Sequence, residues 1–311
     1  MRIAVTGGSG FIGSHVVDRL SDAGHTLIVL DTRPPHRPDV TYRNVDLSDL
    51  GGLVQATRDV DVVFHLAAVS NVNDAYEHPV GTVRVNVTGT VNVFEASRRN
   101  GVSRTVLAST VWVYAGAHGD SPLDEDAPFH LPSAGHIYTS SKIASELIAH
   151  NYNELYDTPF TILRYGIPFG PRMREQLVIP RFVRMALDGE TITVHGDGSQ
   201  FRNYVYVEDL ADAHVLTLSE EGENEVFNLE GAEPITIRRV TEAIRDCLGI
   251  PLEVEFGEAR PGDYAGKVVS ADKVKHVLGW EPTTPFEEGM RRYVDWYLAE
   301  TELAREQVSE A

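Results

Sequence analysis

Three glycines, Gly7, Gly10 and Gly13, come directly after a short apolar run at the start of the chain. Glycine is disfavoured inside helices and strands, so the spacing G-x-x-G-x-x-G indicates a turn that other residues cannot make. The apolar run before the turn predicts a buried strand, and the periodic residues after it predict a helix from Phe11 to Ala23. A strand, a tight glycine turn and a helix form the first unit of an open α/β fold.

Apolar runs and helical periodicity alternate through the rest of the first half of the sequence. We expect strands at Ile3–Thr6, Thr26–Leu30, Val62–Leu66, Thr105–Ser109 and Phe160–Arg164. We expect helices at Phe11–Ala23, Leu50–Thr57, Val80–Asn100 and Tyr138–Tyr156, and after Gly170 at Ile179–Leu187, Glu208–Leu218, Thr236–Leu248 and Phe286–Leu298. Strands that are apolar throughout are buried on both faces, as in a parallel sheet covered by helices.

The predicted fold is therefore α/β, a Rossmann-type doubly wound parallel sheet with a smaller C-terminal α/β lobe. Elements become shorter after about Gly170, where prolines at 168, 171 and 180 interrupt the pattern. We expect residues 1–170 and 203–231 to form the sheet domain, and residues 171–202 and 232–311 to form the lobe. The polar, acidic tail after Ala299 is expected to fray.

Composition excludes several classes of protein. The formal net charge of −19 repels phosphate backbones and anionic lipid, so we expect no nucleic-acid or membrane partner. Cys247 is the single cysteine, which rules out internal disulfides and cysteine-based metal clusters. We see no basic-then-apolar leader and no apolar run near the roughly 20 residues of a membrane helix. We expect a cytoplasmic protein.

The glycine turn has the features of a dinucleotide site. The second glycine lets the backbone approach a pyrophosphate, and the N-terminus of the following helix offers free N–H groups to it. Asp31 ends the second predicted strand, where a carboxylate can bind both ribose hydroxyls of an adenosine and repel a 2′-phosphate. Arg33 could accept such a phosphate, but it precedes two prolines and is expected to be solvated. NAD is favoured over NADP.

A second motif is the sequence YTSSK, which runs from Tyr138 to Lys142. A spacing of four residues places both side chains on one face of a helix. An ammonium group beside a phenol stabilises the phenolate, which can accept a proton near neutral pH. The pair alone is a common pattern, and its weight comes from occurring together with the glycine turn and Asp31.

Together these motifs resemble the extended short-chain dehydrogenase/reductase family, and most closely its nucleotide-sugar epimerases and dehydratases of the UDP-glucose 4-epimerase type. The resemblance extends from Arg2 to about Trp296. Further matching segments are DLSD (46–49), FHLAA (64–68), NVTGTVNV (86–93), RYGIPFGP (164–171), GDGSQFRNYVYVEDLADAH (196–214) and RPGD (260–263).

The resemblance implies a set of contacts with bound NAD. The pyrophosphate and adenosine would be held by the glycine turn with Phe11 and Ile12, by Asp31, and by Asp46 and Leu47 beside the adenine. Leu66, Ala67 and Ala68 would line the cofactor, with Asn86 beneath them. The remaining expected contacts, on the nicotinamide half, are Ser109, Tyr165 and Gly166, with Tyr138 and Lys142.

The segment LASTVWVYA (107–115) places Thr110 where this family hydrogen-bonds the sugar hydroxyl that is oxidised. The related 4,6-dehydratases carry Asp-Glu directly after that threonine. Here the residues are Val111 and Trp112, and neither can exchange a proton. The resemblance therefore favours an epimerase over a dehydratase, with Tyr138, Lys142 and Thr110 as the catalytic residues.

The resemblance also implies substrate contacts in the second lobe. Arg202 and Arg260 would bind the diphosphate, and Asp263 would hold the nucleotide ribose; the planar guanidinium suits phosphate oxygens. Ile167 departs from the pattern, because the family has an asparagine there that contacts the diphospho-sugar. His136 lies close enough to Tyr138 to face substrate, and we find no metal-ligand spacing.

The sequence thus predicts NAD-dependent epimerisation of a nucleotide-diphospho-sugar, at C4 and with a UDP-sugar favoured. Two alternatives stay open: a 4-ketoreductase or other dehydrogenase, and a dinucleotide-sensing protein without catalysis. The nucleotide, the sugar and the epimerised carbon are not determined by the sequence. A homodimer formed by the helices Val80–Asn100 and Tyr138–Tyr156 is expected from the resemblance.

Overall fold

The computed structural model describes residues 1–116, 122–131, 134–258 and 268–309. Within these residues seven strands form one parallel sheet in the order β11-β6-β5-β4-β1-β2-β3. Its strands are β1 Arg2–Thr6, β2 Thr26–Asp31, β3 Thr41–Asn44, β4 Val62–His65, β5 Arg104–Thr110, β6 Phe160–Tyr165 and β11 Glu225–Leu229. The predicted Rossmann-type fold is confirmed.

Burial explains why these segments form the centre of the sheet. β4, β5 and β6 are buried at every position, and β1 is buried at all but its first residue. β-Branched and aliphatic side chains from these strands pack against helices on the two faces. Ala4, Ile28 and Val63 of the sheet, for example, share one core cluster with Leu53 and Val93 of the covering helices.

The helices that follow the strands are α1 Phe11–Asp22, α2 Leu50–Ala56, α3 Val72–Glu77, α4 Pro79–Val83, α5 Gly89–Asn100, α6 Ile137–Tyr156 and α8 Val207–Leu216. The strand order reverses between β1 and β4, so the chain after these two strands leaves the sheet in opposite directions. Ligands of open α/β sheets bind at such a switch point, outside the carboxyl ends of the strands.

The predicted helix Val80–Asn100 is not a single α-helix. A π-helical turn at Arg84–Thr88 separates α4 from α5. The apolar periodicity of the segment does not reveal this turn, because its five residues are helical on both sides and contain no glycine or proline that would mark an interruption. π-Helical turns inside helices are frequent at functional sites.

The chain divides into two compact units. The first comprises Met1–Tyr165, Leu210–Leu229 and Val269–Glu281, and the second comprises Gly166–Asp209, Glu230–Val268 and Pro282–Ala311. This division differs from the predicted domain bounds in placing residues 166–170, 203–209 and 230–231 in the second unit and residues 269–281 in the first. The helix α10 Asp272–Leu278 packs on β11 in the first unit.

The second unit contains three two-stranded sheets and three helices among its described residues. The strands pair as β7 Ile167–Phe169 with β10 Tyr204–Tyr206, β8 Ile192–His195 with β13 Val254–Gly257, and β9 Phe201–Arg202 with β12 Ile235–Thr236. The helices are α7 Val178–Leu187, α9 Ile237–Leu248 and α11 Phe286–Ser309. The helix α11 extends to Ser309, past Ala299, and the expected fraying of this tail stays a prediction.

A search of the described residues finds no helix both long and apolar enough to cross a bilayer.

Candidate active site

The glycine turn lies between β1 and α1 and fits closely against the loop after β4. Gly7 has a φ of +71°, and a Cβ atom there would lie 2.6 Å from the backbone nitrogen of Ala67. A Cβ on Gly13 would collide with the carbonyl oxygen of Gly7. Only glycine permits both approaches. The start of α1 at Phe11 therefore sits at the sheet edge, where Phe11 and Ile12 form its first turn and Gly10 caps it.

Asp31 ends β2 beside this turn. Its carboxylate accepts hydrogen bonds from the backbone N–H groups of Ser9 and Arg33, each at 3.1 Å. The Ser9 hydroxyl donates to the Arg33 carbonyl at 2.7 Å, so the turn and the end of β2 are fixed together. This geometry and the glycine cradle fit an adenosine diphosphate at the N-terminus of α1.

Asp46 and Leu47 follow β3. The Asp46 carboxylate accepts a hydrogen bond from Ser48 N at 2.7 Å, and bonds from the Ser48 side chain and backbone lower its pKa. Leu47 is buried against Gly89, and its carbonyl accepts a bond from Asn92. Leu47 is thus a core residue as well as a predicted adenine contact, and the latter stays a prediction.

Leu66, Ala67 and Ala68 form the loop after β4. The buried His65, which ends β4, connects this strand to Thr6 of β1 and Thr90 of α5. Ala67 N donates to Thr6 Oγ1 at 3.3 Å, and Thr6 Oγ1 lies 2.8 Å from His65 Nδ1. His65 Nε2 lies 3.0 Å from Thr90 Oγ1, whose own proton goes to a backbone carbonyl. His65 is therefore the Nε2–H tautomer and accepts the Thr6 proton on Nδ1.

Asn86 lies in the π-helical turn and is almost completely buried. Its side chain bonds both the N–H and the carbonyl of Val69, at 2.8 and 2.9 Å, and donates to Ser141 Oγ at 2.9 Å. Ser141 Oγ in turn donates to the carbonyl of Tyr138. Asn86 therefore joins the loop after β4 to the first turns of α6, and its predicted cofactor contact stays a prediction.

Tyr138 and Lys142 both lie on the buried face of α6, 8% and 5% exposed respectively. Lys142 Nζ donates to the carbonyl of Ala108 on β5 at 2.9 Å. Burial lowers the pKa of Lys142 to about 8, and the negative charge of Glu146 opposes this shift. The lysine is therefore held at the sheet edge, next to the phenol one turn earlier.

His136 caps the start of α6. Its Nδ1 atom lies 2.9 Å from Thr139 Oγ1, and its ring lies 6.3 Å from that of Tyr138 and 5.6 Å from that of Trp112. Burial lowers the pKa of His136. The expectation that this histidine lies near Tyr138 is confirmed.

Thr110 ends β5 and is aligned with Tyr165 at the end of β6. Its hydroxyl oxygen accepts a bond from Trp112 N at 3.2 Å, which caps the 3₁₀-helix Val111–Tyr114. Its hydroxyl is therefore fixed at the carboxyl edge of the sheet, two residues beyond the carbonyl that binds Lys142.

Ser109 donates to Glu146 Oε1 at 2.5 Å, and the same carboxylate forms a buried ion pair with Arg164 at 2.8 Å. Arg164 also donates to the Tyr114 hydroxyl. Glu146 stands one helical turn after Lys142, so this network locks α6 onto β5 and β6. The expected nicotinamide contact of Ser109 stays a prediction, since its hydroxyl proton is engaged by Glu146.

Tyr165 and His214 form a second buried pair in the first unit. His214 Nδ1 lies 2.8 Å from the Leu210 carbonyl and so carries the proton. Nε2 then accepts the Tyr165 hydroxyl proton at 2.6 Å. Burial raises the pKa of Tyr165 well above its ordinary value, so this phenol remains neutral.

Of the predicted contacts with the substrate diphosphate and ribose, Arg202 lies in the described part of the second unit. Arg202 lies on β9 and is half-buried, and its Nη1 donates to the Phe201 carbonyl at 2.6 Å. Gly166 and Ile167 follow β6, and Ile167 begins β7. Arg260 and Asp263 lie outside the described residues.

Sequence reasoning missed the partners of the site residues: His65, Glu146, Arg164 and His214. Glu146 could have been found from its spacing, because it continues the i, i+4 series of Tyr138 and Lys142 on one helix face. The other three are identified by contacts between residues distant in sequence, such as Thr6 with His65 and Tyr165 with His214.

A glycine turn at the switch point of a parallel sheet, with a buried Tyr-x-x-x-Lys pair at the same edge, defines the dinucleotide-dependent short-chain dehydrogenase/reductase class. The family model described as the NAD dependent epimerase/dehydratase family matches residues 3–229. The chain belongs to that family, and the expected cofactor, NAD, is confirmed with it.

Individual proteins are similar over their whole length. A putative UDP-glucose 4-epimerase of Methanocaldococcus jannaschii is 33% identical over 304 residues, covering 94% of this chain and 97% of the relative. The structure of Thermotoga maritima UDP-glucose 4-epimerase with UDP-glucose has a TM-score of 0.90 at 29% identity, covering 97% of this chain and 100% of that one. The Thermus thermophilus UDP-glucose 4-epimerase complex with NAD has a TM-score of 0.86 at 33% identity, covering 96% and 99%.

Proposed function

We propose that this protein catalyses the NAD-dependent epimerisation of a nucleotide-diphospho-sugar at C4, with a UDP-sugar as substrate. The observation that carries the proposal is the burial of Tyr138 and Lys142 on one face of α6, with Lys142 bonded to β5 two residues before Thr110. The similar proteins from M. jannaschii, T. maritima and T. thermophilus are named UDP-glucose 4-epimerases, which supports both the position and the nucleotide.

In the proposed reaction Tyr138, as phenolate, removes the proton of the sugar 4-hydroxyl while Thr110 orients that hydroxyl. NAD, held by the glycine turn and Asp31, would supply the redox chemistry, which is reversible hydride transfer at C4. The planar 4-keto sugar turns over between the two transfers, so the configuration at C4 is inverted. Lys142 stabilises the phenolate through its positive charge. Tyr138 then returns the proton to the 4-oxygen, so the reaction has no net redox change.

The proposed cofactor contacts are those expected from the sequence. Asp31 binds the adenosine ribose, and Asp46 and Leu47 border the adenine. Leu66, Ala67, Ala68 and Asn86 lie along the cofactor, with Ser109, Tyr165 and Gly166 at its nicotinamide half. Arg202 and Arg260 bind the diphosphate and Asp263 binds the ribose of the substrate nucleotide.

The reaction ends at epimerisation because no acid–base pair follows Thr110. Val111 and Trp112 occupy the next two positions, and neither side chain can remove a C5 proton or protonate a leaving hydroxyl. A stable 4-keto-6-deoxy product is therefore not expected from any substrate.

The test is a panel of nucleotide sugars incubated with the protein as purified, without added NAD. Products are identified by NMR and mass spectrometry while absorbance at 340 nm is followed. We expect the C4 epimer and no lasting absorbance change. A steady change at 340 nm would instead identify a dehydrogenase or ketoreductase, and bound NAD without any turnover would identify a binding protein.

Tyr138→Phe tests the proton acceptor directly. Because general acid–base catalysis contributes about 10²–10⁴-fold, we expect kcat to fall by that factor while the content of bound NAD is unchanged. Tyr156→Phe is the matched control, since Tyr156 lies on the same helix with half of its surface exposed. Full activity of the Tyr138 variant would remove this residue from the mechanism.

We also propose a homodimer formed by the segments Val80–Asn100 and Tyr138–Tyr156. Large apolar side chains are exposed on both segments: Val80 is 83% exposed, and Leu155 is 66% exposed. Exposed apolar side chains on neighbouring helices are typical of a surface that a second copy covers. Light scattering should show a dimer that Leu155→Glu converts to monomer, whereas Phe256→Glu, at an exposed position of the second unit, should leave the dimer intact.

The cytoplasmic location stays a prediction from the sequence.

A further inference from the structure

His136 contacts both segments that carry the proposed catalytic side chains. Its ring centroid lies 6.3 Å from that of Tyr138 on α6 and 5.6 Å from that of Trp112 in the 3₁₀-helix after β5. Both distances lie in the range of about 4.5–7 Å in which aromatic rings attract each other. The backbone N–H of Trp112 in turn donates to the hydroxyl oxygen of Thr110 at 3.2 Å. A chain of contacts thus joins Thr110 to Tyr138, and it lies wholly within the first unit.

The orientation of the His136 ring is fixed by the first turn of α6. His136 is the N-cap residue, and its Nδ1 accepts a hydrogen bond from the Thr139 N–H at 3.4 Å. Nδ1 therefore carries no proton, so the Thr139 hydroxyl, 2.9 Å away, donates to it as well. Thr139 is completely buried, and the ring is thus held by a closely packed side chain. Tyr138 lies between these two bonded residues.

The His136 ring contacts its neighbours as an uncharged group. Burial lowers the pKa of His136 from the ordinary value of 6.5, so the imidazole is neutral at pH 7. Lys142, one turn after Tyr138, remains the cation that stabilises the phenolate. A helix N-cap needs only a short polar side chain, such as that of asparagine or serine. The imidazole ring therefore supplies something beyond the cap, which is its contact with two other rings.

We propose that His136 is a positioning residue whose ring sets the distance between the hydroxyl groups of Tyr138 and Thr110, which rests on the proposed function. In that reaction both groups meet one sugar hydroxyl, so the two segments that carry them need a fixed separation. Misplacement of a catalytic group by about 1 Å can cost about 10²-fold in rate. Because the ring acts through Tyr138 and not on the substrate, its removal should lower kcat and leave KM unchanged.

The test is His136→Asn, which keeps a good N-cap and removes the ring. We expect kcat to fall about tenfold, while KM, Tm and the content of bound NAD stay close to those of wild type. His150→Asn is the matched control. His150 is an exposed histidine on the same helix, its ring packs on Phe160 at 4.7 Å, and its loss should leave kcat unchanged.

A double-mutant cycle with Trp112→Ala tests whether the rings form one chain of contacts. If Trp112 acts through His136, the double variant should have about the kcat of the slower single variant. Losses that multiply would show that the two rings act separately and would overturn the chain. Thr139→Val, which removes the hydroxyl that holds the ring, should lower kcat about threefold, and Thr139→Ser should restore it.

Full activity of His136→Asn would overturn the proposal and leave His136 a helix cap only. A raised KM with unchanged kcat would also overturn it, because the ring would then contact the substrate. If wild type turns over no sugar, the proposed function fails, and the phenolate absorbance of Tyr138, taken as wild type minus Tyr138→Phe, gives a separate measurement. His136→Asn should move that titration to higher pH, since a displaced phenol lies farther from Lys142, and an unmoved titration would overturn the positioning role.

Discussion

Buried polar groups are arranged differently in two regions of this chain. At the carboxyl edge of the large sheet, the side chains of His65, Asn86 and Glu146 each have two or more partners. In the second unit, Glu230 and Asn203 bury atoms that have no partner among the described residues. The first arrangement satisfies its buried polar groups within the protein and joins α6 to the sheet, whereas the second buries Glu230 Oε2 and Asn203 Oδ1 without a partner among the described residues.

This comparison predicts which property each region controls. A complete polar network loses free energy of unfolding when one member is removed, because a buried partner is left unsatisfied. Removal of an atom that has no partner breaks no hydrogen bond, so a smaller loss of stability is expected at Glu230 and Asn203. The following substitutions and pH changes test the complete network, from the largest expected effect to the smallest.

Glu146→Gln should destabilise the protein by about 3–5 kcal/mol, because it leaves the buried Arg164 guanidinium without its counter-charge. Urea denaturation at pH 7 measures the change. Glu95→Gln is the control: this carboxylate pairs with Arg98 and Arg99 on the surface of α5, and its loss should cost about 1 kcal/mol or less. Equal effects of the two substitutions would contradict a special role for the buried pair.

Acid should destabilise the same region through His65 and His214. Burial lowers the pKa of His65 to about 3 and that of His214 to about 4, below the ordinary value of 6.5. The unfolded chain therefore binds more protons between these values, and stability is lost as pH falls through this window. From pH 7 to pH 5 each histidine should contribute about 2 kcal/mol of loss, at ~1.4 kcal/mol per pH unit below 6.5.

Paired urea titrations at the two pH values measure this loss. His214→Asn removes one of the two groups and should reduce the difference between pH 7 and pH 5 by about half. His276→Asn is the control, because His276 is exposed on α10 and should leave the difference unchanged. A variant His214→Asn with the full acid sensitivity would show that the buried imidazole does not contribute.

The central strands and the cofactor turn were predictable from the sequence, because both depend on local pattern. β1, β4, β5 and β6 read as continuous apolar runs and were placed to within one residue at each end. β3 was missed since its sequence TYRN is polar and mostly exposed. β11 was missed because its strand EVFNL begins with a charged residue and joins the sheet through long-range pairing with β6.

The site was predictable where spacing along one helix determines it, and not where contacts join distant segments. Tyr138 and Lys142 follow from a four-residue spacing, and their burial on α6 agrees with that reading. Thr6, Thr90 and His214 belong to no motif in the sequence. Thr6 and Thr90 contact His65, and His214 contacts Tyr165, only once the fold brings these distant segments together. The burial of the Glu230 carboxyl group could likewise not be predicted, because the sequence shows only an acidic residue in a loop.

The smallest expected effect is on the pH dependence of turnover through Lys142. The phenolate of Tyr138 needs the ammonium form, and the pKa of Lys142 is lowered to about 8, so kcat should fall as pH rises above that value. Stability should change in the opposite direction: the unfolded chain, with an ordinary lysine pKa of 10.5, binds more protons between about 8 and 10.5, so unfolding becomes harder as pH rises.

The negative charge of Glu146 raises the pKa of this lysine. The charge of Lys142 in turn adds to burial in lowering the pKa of His65. Glu146→Gln should therefore move the alkaline fall in kcat to lower pH, and Lys142→Arg, which stays charged, should remove it. Lys275→Arg is the control, since Lys275 is exposed on α10. A pH profile unchanged in Glu146→Gln would separate the buried ion pair from catalysis and leave it a role in stability alone.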